Sequence, residues 1–302
     1  MMVVEKLVEA AFLVGLATSI YLWVWSIRRV NSGQVLLPFA PRRPVPWSFL
    51  DTLLVLMGFF VVQYVTAVIT LSLTDQTTIS KEYLALIVSS CVLPVFLATA
   101  IVQLMNFRGA NWRDLGVDLR YAWFDLIDGV YAFAMLASIV FTIQAALQSK
   151  IEYEHPILDM LADHDGPWPF ITAFLAAVVV APLVEEFLFR VVLQGALEKL
   201  AYFWAMRQEN PDLSLNSIFG TLIPANQRHD VIRIGSWWPI LVSASIFAIL
   251  HAGQGAAPIP LFFLAVGMGY LYQRTHRILS CVVVHAMLNG ISLLAVLVDN
   301  TA

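Results

Sequence analysis

Long apolar stretches follow one another along most of the chain, separated by short polar segments. About 18 or more apolar residues suffice to cross the hydrocarbon of a bilayer as a helix, because each helical residue advances ~1.5 Å. The pattern predicts about eight spanning helices, of which the fifth is long and the seventh short: 7–27, 49–73, 83–105, 122–148, 168–197, 238–254, 258–273 and 278–297. The predicted fold class is all-α, a polytopic transmembrane helix bundle.

Composition supports a single membrane body. Of the 302 residues, 60% are hydrophobic and 13% are charged, and the mean hydropathy is +0.78. A soluble domain keeps about a quarter of its residues charged. Because the apolar segments are so closely spaced, we expect residues 1–302 to form one integral membrane domain in contact with lipid. The net charge of −4 argues against a basic surface of the kind that binds nucleic acid.

Positive charge is concentrated in alternate loops. Thirteen of the 17 Lys and Arg residues lie in four segments: 28–48, 106–121, 198–237 and 274–277. Cytoplasmic loops of membrane proteins carry an excess of Lys and Arg. We therefore expect a multi-pass protein of the cell (plasma) membrane whose two termini are both on the non-cytoplasmic side.

Three charged residues interrupt the fifth apolar stretch: Glu185, Glu186 and Arg190. One charged side chain at the middle of a membrane helix costs about 2.5–3.5 kcal/mol, so three in one segment indicate a role. Glu186 and Arg190 are four residues apart and share a helix face, where they can pair. Glu185 points about 100° away from that pair. Pro182, one turn earlier, frees a backbone carbonyl.

Histidines occur inside two later spans. His251 follows Phe247 by four residues in the sixth span, and Asn289 follows His285 by four in the eighth. Each pair therefore occupies one helix face. A single histidine in a membrane helix is more often a hydrogen-bonded core residue than a catalyst, and a Glu–Arg pair is often structural only. The combination of carboxylates, imidazoles and an amide on three helices favours a functional site.

A free carboxylate beside an imidazole can activate water. Glu185 would remove the proton, and His251 would orient the water or share its proton. His285 and Asn289 can donate hydrogen bonds to the oxyanion that develops at a scissile carbonyl. Alternatively, Glu185, His251 and His285 bind zinc, because two imidazoles and one carboxylate form a known catalytic ligand set. The sequence leaves metal-bound and metal-free water as equal alternatives.

The arrangement of these residues resembles a known family. Three motifs occur in order inside apolar spans: Glu185-Glu186-x-x-x-Arg190, Phe247-x-x-x-His251 and His285-x-x-x-Asn289. They are similar to the three-motif signature of the CAAX-protease and bacteriocin-processing family (CPBP or Abi), which includes the eukaryotic type II CAAX prenyl endopeptidase. The segment 267–275 also resembles the family, and the resemblance covers about residues 168–292.

The resemblance implies an intramembrane endopeptidase, a hydrolase of peptide bonds. It implies a helical catalytic core over 168–292, preceded by accessory spans in 1–149, with the active site in a membrane-embedded cavity open to the cytoplasm. The implied roles are water activation by Glu185 and His251, support by Glu186 and Arg190, and oxyanion stabilisation by His285 and Asn289. The expected partner is a peptide or protein substrate, and prenylation of that substrate is one alternative. Relatives have been called metalloproteases, which keeps zinc as a candidate cofactor.

The chain departs from the family in two places. His276-Arg277 follows the Arg-Thr pair, where the family often has Gly-Ser or Gly-Asn, and the loop 198–237 is long. We expect both departures to affect which substrate is selected more than the chemistry of hydrolysis.

Two other functions compete with proteolysis. A non-catalytic membrane scaffold or immunity-type protein would tolerate loss of the Glu185 carboxylate. A proton-coupled transporter would use the same buried acids, but the chain lacks the paired half-repeats typical of transporters.

Overall fold

The structure, a computed structural model, describes residues 2–40, 42–74, 76–77, 79–148, 160–161, 166–209 and 235–301. All regular secondary structure in these residues is helical, which confirms the predicted all-α class. The N-terminal part contains α1 (Met2–Asn31), α2 (Phe49–Thr74), α3 (Lys81–Arg108) and α4 (Ala122–Gln148), with a short 3-10 helix (Leu119–Tyr121) before α4.

The fifth predicted span is one helical run that changes pitch twice, and we call it the segmented helix. Its segments are α5 (Pro167–Phe174), a first π segment (Leu175–Val180), α6 (Ala181–Glu186), a second π segment (Phe187–Gln194) and α7 (Gly195–Glu209). In each π segment the following N–H bonds to a carbonyl five residues back, the wide turn that defines a π-helix.

The segmented helix extends further than the sequence predicts. The predicted loop 198–237 is helical up to Glu209, and residues 210–234 lie outside the described part of the chain. The charges that suggested a loop are buried and partnered instead. Glu198 accepts a hydrogen bond from Gln194 (2.8 Å), and the ammonium group of Lys199 donates to the carbonyl of Trp47 (2.8 Å).

The C-terminal part consists of α8 (Trp238–Ile249), α9 (Pro258–Thr275) and α10 (Ile278–Thr301). In the described residues, six helices are long and apolar enough to cross a membrane, which confirms a multi-pass integral membrane protein. Neither α8 nor α9 is among these six. With 12 residues, α8 is about 18 Å long, whereas the hydrocarbon is ~30 Å thick. The sixth predicted span therefore ends early and continues as turns over 250–257.

The arginine-rich segments lie together at one end of the bundle, which we call the basic end. Four hydrogen bonds join them: Ala40 N–H to the Arg274 carbonyl (2.8 Å), Ile278 N–H to the Gly116 carbonyl (2.9 Å), Arg43 Nε to Asp114 Oδ1 (2.8 Å) and Lys199 Nζ to the Trp47 carbonyl (2.8 Å). The alternation of charge along the sequence thus corresponds to one end of the fold. That this end faces the cytoplasm stays a prediction.

Helix α4 is the central packing element, because it contacts α1, α9 and α10. Its closest approach to α10 is at Gly129. A Cβ atom at that position would lie 2.7 Å from the Cβ of Val283 and 2.9 Å from the carbonyl oxygen of Ser280. Small residues allow this kind of backbone approach between membrane helices. Gly58 in α2, by contrast, has only an ordinary contact of 3.5 Å to Phe96 at the Cβ position.

We predict that Gly129→Ala destabilises the protein by about 1–3 kcal/mol, because the added methyl group forces α4 and α10 apart. Gly58→Ala is the matched control, since it adds the same methyl group in mid-helix and is expected to be neutral or stabilising by up to about 1 kcal/mol. The measurement is the free energy of unfolding of both variants in mixed micelles. Equal stability of the two variants would contradict the close α4–α10 contact.

Candidate active site

The carboxylate of Glu186 is the centre of the site. Its Oε2 accepts a hydrogen bond from Nε of Arg190 (2.9 Å), and its Oε1 lies 2.9 Å from Nδ1 of His285. Glu186 and Arg190 are completely buried, and His285 is nearly so. The predicted i,i+4 ion pair is therefore present, and His285 on α10 joins it. One carboxylate thus connects the segmented helix to the last helix.

The guanidinium group of Arg190 packs on an aromatic cluster. Its Cζ lies 5.6 Å from the ring centroid of Phe247, a cation–π distance, and Phe247 also makes edge contacts with Phe189 and His285. The Nη1 and Nη2 atoms of Arg190 are buried without a hydrogen-bond partner in the described structure. Phe247, one of the motif residues, therefore closes the site from the α8 side.

Glu185 differs from Glu186 in its exposure and in its hydrogen bonding. Its side chain is 23% exposed, and its Oε2 lies 3.8 Å from Nε2 of His285, which is too far for a direct hydrogen bond. That oxygen is nevertheless shielded from solvent and has no hydrogen-bond partner among the described residues. Buried polar atoms without protein partners commonly bind water. The two adjacent carboxylates thus differ: Glu186 is hydrogen-bonded to Arg190 and His285, whereas Oε2 of Glu185 has no hydrogen bond to a described residue.

His251 lies outside the helix in which the sequence placed it, because α8 ends at Ile249. Its Nδ1 is 2.8 Å from the carbonyl of Phe247, and the two rings lie 4.7 Å apart. It makes no ion pair with Glu185 or Glu186 in the described structure. Phe247 is the shared neighbour of His251 and the buried group, and the predicted joint action of Glu185 and His251 on water stays a prediction.

The depth of the turn that contains His251 bears on the predicted membrane-embedded cavity. Gln273 near the end of α9 donates a hydrogen bond to the carbonyl of Ser236 just before α8 (3.0 Å), so α8 begins at the basic end. The turn after α8 then lies about 18 Å from that end. Irregular backbone at such depth occurs where it is buried in protein or lines a water-filled cavity. This favours, without establishing, the predicted membrane-embedded cavity.

Asn289 has a local partner on the segmented helix. Its Nδ2 donates to the carbonyl of Ala177 (2.8 Å). In the first π segment the N–H of Ala181 bonds to Ala176, so the next carbonyl, that of Ala177, would accept from residue 182. Pro182 has no N–H. Asn289 therefore satisfies the carbonyl that Pro182 leaves free, and one N–H of its amide is used in this way.

Sequence reasoning missed two buried residues that extend the site toward the basic end. Gln194 donates to Glu198 (2.8 Å) and to the carbonyl of Gly269 (2.8 Å), and Glu198 pairs with Arg42. Both residues are completely buried. The signal was present in the sequence, since polar residues recur every fourth position at 186, 190, 194 and 198. Glu198 was missed because the predicted fifth span ended at residue 197, and Gln194 because an uncharged side chain within an apolar stretch gives a weaker signal than Glu185, Glu186 or Arg190.

A second missed cluster joins α4 to the start of α10. Arg277 pairs with Asp125 and with Asp128 (3.1 Å), and Ser280 donates to Asp125 (3.3 Å). Both aspartates lie near the start of α4. Their partner is the residue at which the chain departs from the family pattern.

His276, the other residue of the His276-Arg277 departure, has an unusual backbone conformation that its packing explains. It ends α9 in the left-handed region, at φ +52°, where glycine is favoured because it has no Cβ. Its ring packs edge-on against Phe39 and Tyr272. Burial, with Arg42 and Arg277 nearby, lowers the pKa of His276 well below its ordinary value, so this buried ring is neutral at physiological pH. Aromatic packing thus accommodates a residue that strains the backbone.

The side chains do not fit the zinc alternative. Among the described residues, no group of three or more His, Cys, Asp and Glu side chains is arranged to hold a metal ion. Glu185, His251 and His285 therefore do not form the predicted ligand set in this conformation.

Comparison with protein families gives one match. Residues 167–291 match the model described as type II CAAX prenyl endopeptidase, Rce1-like. All three motifs fall within this segment. No curated protein and no solved structure matches the chain.

The two adjacent glutamates are expected to differ in their contribution to stability. Glu186→Gln removes the charge that Arg190 and His285 share in a buried site, and we predict a loss of about 3 kcal/mol in the free energy of unfolding. Glu185→Gln, the matched control one residue away, is expected to change it by less than about 0.5 kcal/mol. Unfolding in mixed micelles measures both. A larger loss for Glu185→Gln than for Glu186→Gln would contradict the observed pairing.

Proposed function

Because residues 167–291 of the chain belong to the Rce1-like type II CAAX prenyl endopeptidase family, we propose that the protein is an intramembrane endopeptidase in which Glu185 activates the hydrolytic water. The family supports peptide-bond hydrolysis within a membrane in general. The assignment of roles to individual residues is our proposal, and it rests on the geometry of the two glutamates and two histidines.

The observation that carries the proposal is the unpaired oxygen of Glu185. It lies 3.8 Å from Nε2 of His285. A single water molecule can bond to both atoms at ~2.8 Å each, because the bridged atoms are then roughly 4 Å apart. The same oxygen has no protein partner in the described structure. Glu185 is therefore the carboxylate available to accept a proton from water.

His285 is oriented by the pinned glutamate. If its Nδ1–H donates to Glu186, the neutral ring presents an unprotonated Nε2 to the gap beside Glu185. In that form Nε2 accepts a hydrogen bond from the water and aligns it. Donation from Nε2 to an oxyanion, the role implied by the family motif, requires the doubly protonated ring.

His251 is proposed as a second orienting group. Its Nδ1 is engaged by the Phe247 carbonyl, so in the neutral ring with Nδ1–H donating, Nε2 is an acceptor. Its ring contacts Phe247, which Arg190 also contacts. We propose that it contacts the water or the substrate peptide rather than Glu185 directly.

The proposed reaction proceeds in two steps. Glu185 takes a proton from water while the water oxygen attacks the scissile carbonyl carbon, and the carbonyl oxygen becomes an oxyanion. The second N–H of the Asn289 amide stabilises that oxyanion, while the neutral His285 keeps the water aligned. Collapse of the intermediate breaks the C–N bond, and Glu185 returns its proton to the leaving amine. Glu186 and Arg190 hold His285 in place throughout.

We further propose that the basic end faces the cytoplasm, with both termini on the opposite side of the plasma membrane. The concentration of 13 of the 17 Lys and Arg residues in the predicted cytoplasmic loops supports this. The proposed substrate is a membrane-associated peptide or protein. Whether that substrate carries a prenyl group is a separate question, which the termini of the cleavage products answer.

The test is a comparison of peptide termini in host membranes that contain equal amounts of wild-type protein or of Glu185→Gln. We predict that new termini form with the wild type and fall by about 10²–10⁴-fold in rate in the variant, because the general base is lost. Glu82→Gln is the matched control, since Glu82 is an exposed glutamate in the first turn of α3, and it should retain wild-type cleavage. Products that end at a prenylated cysteine would identify prenylated substrates.

One outcome would exclude the proteolytic proposal. If wild type and Glu185→Gln give the same termini while both support the same cellular phenotype, Glu185 has no catalytic role. A non-catalytic scaffold or immunity-type function would then explain the protein better.

A further inference from the structure

A pocket of about 380 Å³ opens at the basic end, outside the candidate active site. The segment 42–45 forms one wall, and the turn 111–114, after α3, forms the other. Its lining residues are Arg42, Arg43, Val45, Asn111, Arg113 and Asp114. Three arginines face a single aspartate, so the lining carries a net positive charge. The volume is within the range of small-ligand sites.

The guanidinium groups of the pocket keep unused donors. Arg43 binds Asp114 through Nε and Nη2, while Arg113 contacts Asp118 through Nε at 3.4 Å. Each guanidinium group has five N–H donors in a planar fork. Arg43 is 44% exposed and Arg113 is 69% exposed, so both are able to accept a further anionic partner from solvent.

Arg42 lines the pocket and is the least exposed of its three arginines, with 13% of its side chain exposed. It pairs with Glu198, and its Nε is buried without a hydrogen-bond partner among the described residues. Burial lowers the pKa of the Arg42 guanidinium from its ordinary value. An anion in the pocket would offset the cost of this buried charge and supply the missing acceptor.

The segment 107–119, which includes the turn beside the pocket, also exposes large apolar side chains. Phe107, Trp112 and Leu119 are 77%, 54% and 81% exposed, although Leu115 in the same segment is buried in the core. Exposed aromatic and aliphatic residues next to arginines are typical of the membrane–water interface, where aromatic rings lie at the level of the lipid headgroups. The pocket is thus placed at the level at which lipid phosphates occur.

We infer that the pocket lined by Arg42, Arg43 and Arg113 binds a phosphate group, and that its source is the headgroup of an anionic membrane lipid. Arginine matches phosphate geometry because its planar fork donates two parallel hydrogen bonds. Basic pockets at the ends of transmembrane helices bind anionic headgroups in this way. The Arg42–Glu198 pair connects the site to the segmented helix, so bound lipid would also stabilise the end of the helix that carries Glu185.

The test is native mass spectrometry of the full-length protein in a neutral detergent with added phosphatidylglycerol. We expect wild-type protein to retain phosphatidylglycerol in preference to phosphatidylcholine. The double variant Arg43→Gln/Arg113→Gln should bind phosphatidylglycerol about tenfold more weakly, because two charge-assisted contacts are lost. Arg42 is left unchanged, since its removal would leave Glu198 buried without its partner.

The control is Arg120→Gln. Arg120 is an equally exposed arginine in the same segment that pairs with Asp118 and does not line the pocket, so this variant should bind within about twofold of wild type. Equal lipid retention by the double variant and wild type would overturn the proposal, as would equal binding of phosphatidylcholine. Displacement of the lipid by inorganic phosphate at equal concentration would contradict the lipid as source.

Discussion

A carboxylate at membrane depth is stable only if its charge is shared, and Glu186 is completely buried. Burial of an isolated charge is so costly that partners of opposite charge, with hydrogen bonds, are required. Arg190 supplies one partner from the next helical turn and His285 supplies another from α10, each at 2.9 Å. The shared carboxylate therefore fixes the distance between two helices and the orientation of an imidazole. Glu185, one residue away, makes no hydrogen bond to His285, because its Oε2 lies 3.8 Å from Nε2.

The backbone of the segmented helix is adapted to this arrangement. Its two π segments flank the Glu185-Glu186 pair, and wide turns are common at functional sites. They also bring residues four apart closer to one face than a regular α-helix does, so the buried polar series continues through Gln194 to Glu198. Pro182 leaves the Ala177 carbonyl without a donor, and Asn289 satisfies it. Backbone irregularity and side-chain chemistry thus depend on each other.

The sequence predicted the helical class and the grouping of polar residues, because membrane spans are recognised by length and composition alone. It also predicted the Glu186–Arg190 pair, which depends only on spacing within one helix. It did not predict that His285 binds Glu186 rather than Glu185, since that depends on the rotation of α10 against the segmented helix. The end of α8 at Ile249 was missed because the glycines that indicate a break, Gly253 and Gly255, lie four and six residues further along the chain.

The segment between α1 and α2 shows the same limit of prediction from sequence. No pattern within residues 28–48 indicates that this segment contacts residues 167–291, which match the family model. Yet Arg274 donates hydrogen bonds to the Leu37 carbonyl, and Trp47 donates to the Val192 carbonyl (3.3 Å). These contacts join residues more than 140 positions apart in the sequence. Spacing arguments describe one helix at a time, so they give no information on such pairs.

The central claim is that Glu186, and not Glu185, holds His285. A double-mutant cycle tests it most directly, with Glu186→Gln and His285→Gln changed singly and together and the free energy of unfolding measured in mixed micelles. The predicted coupling energy is about 1.5–3 kcal/mol, since the contact is a buried, charge-assisted hydrogen bond. The parallel cycle of Glu185→Gln with His285→Gln should give a clearly smaller value, since those two groups are 3.8 Å apart and make no direct hydrogen bond. Coupling that is stronger for Glu185 than for Glu186 would contradict the division of roles between the two carboxylates.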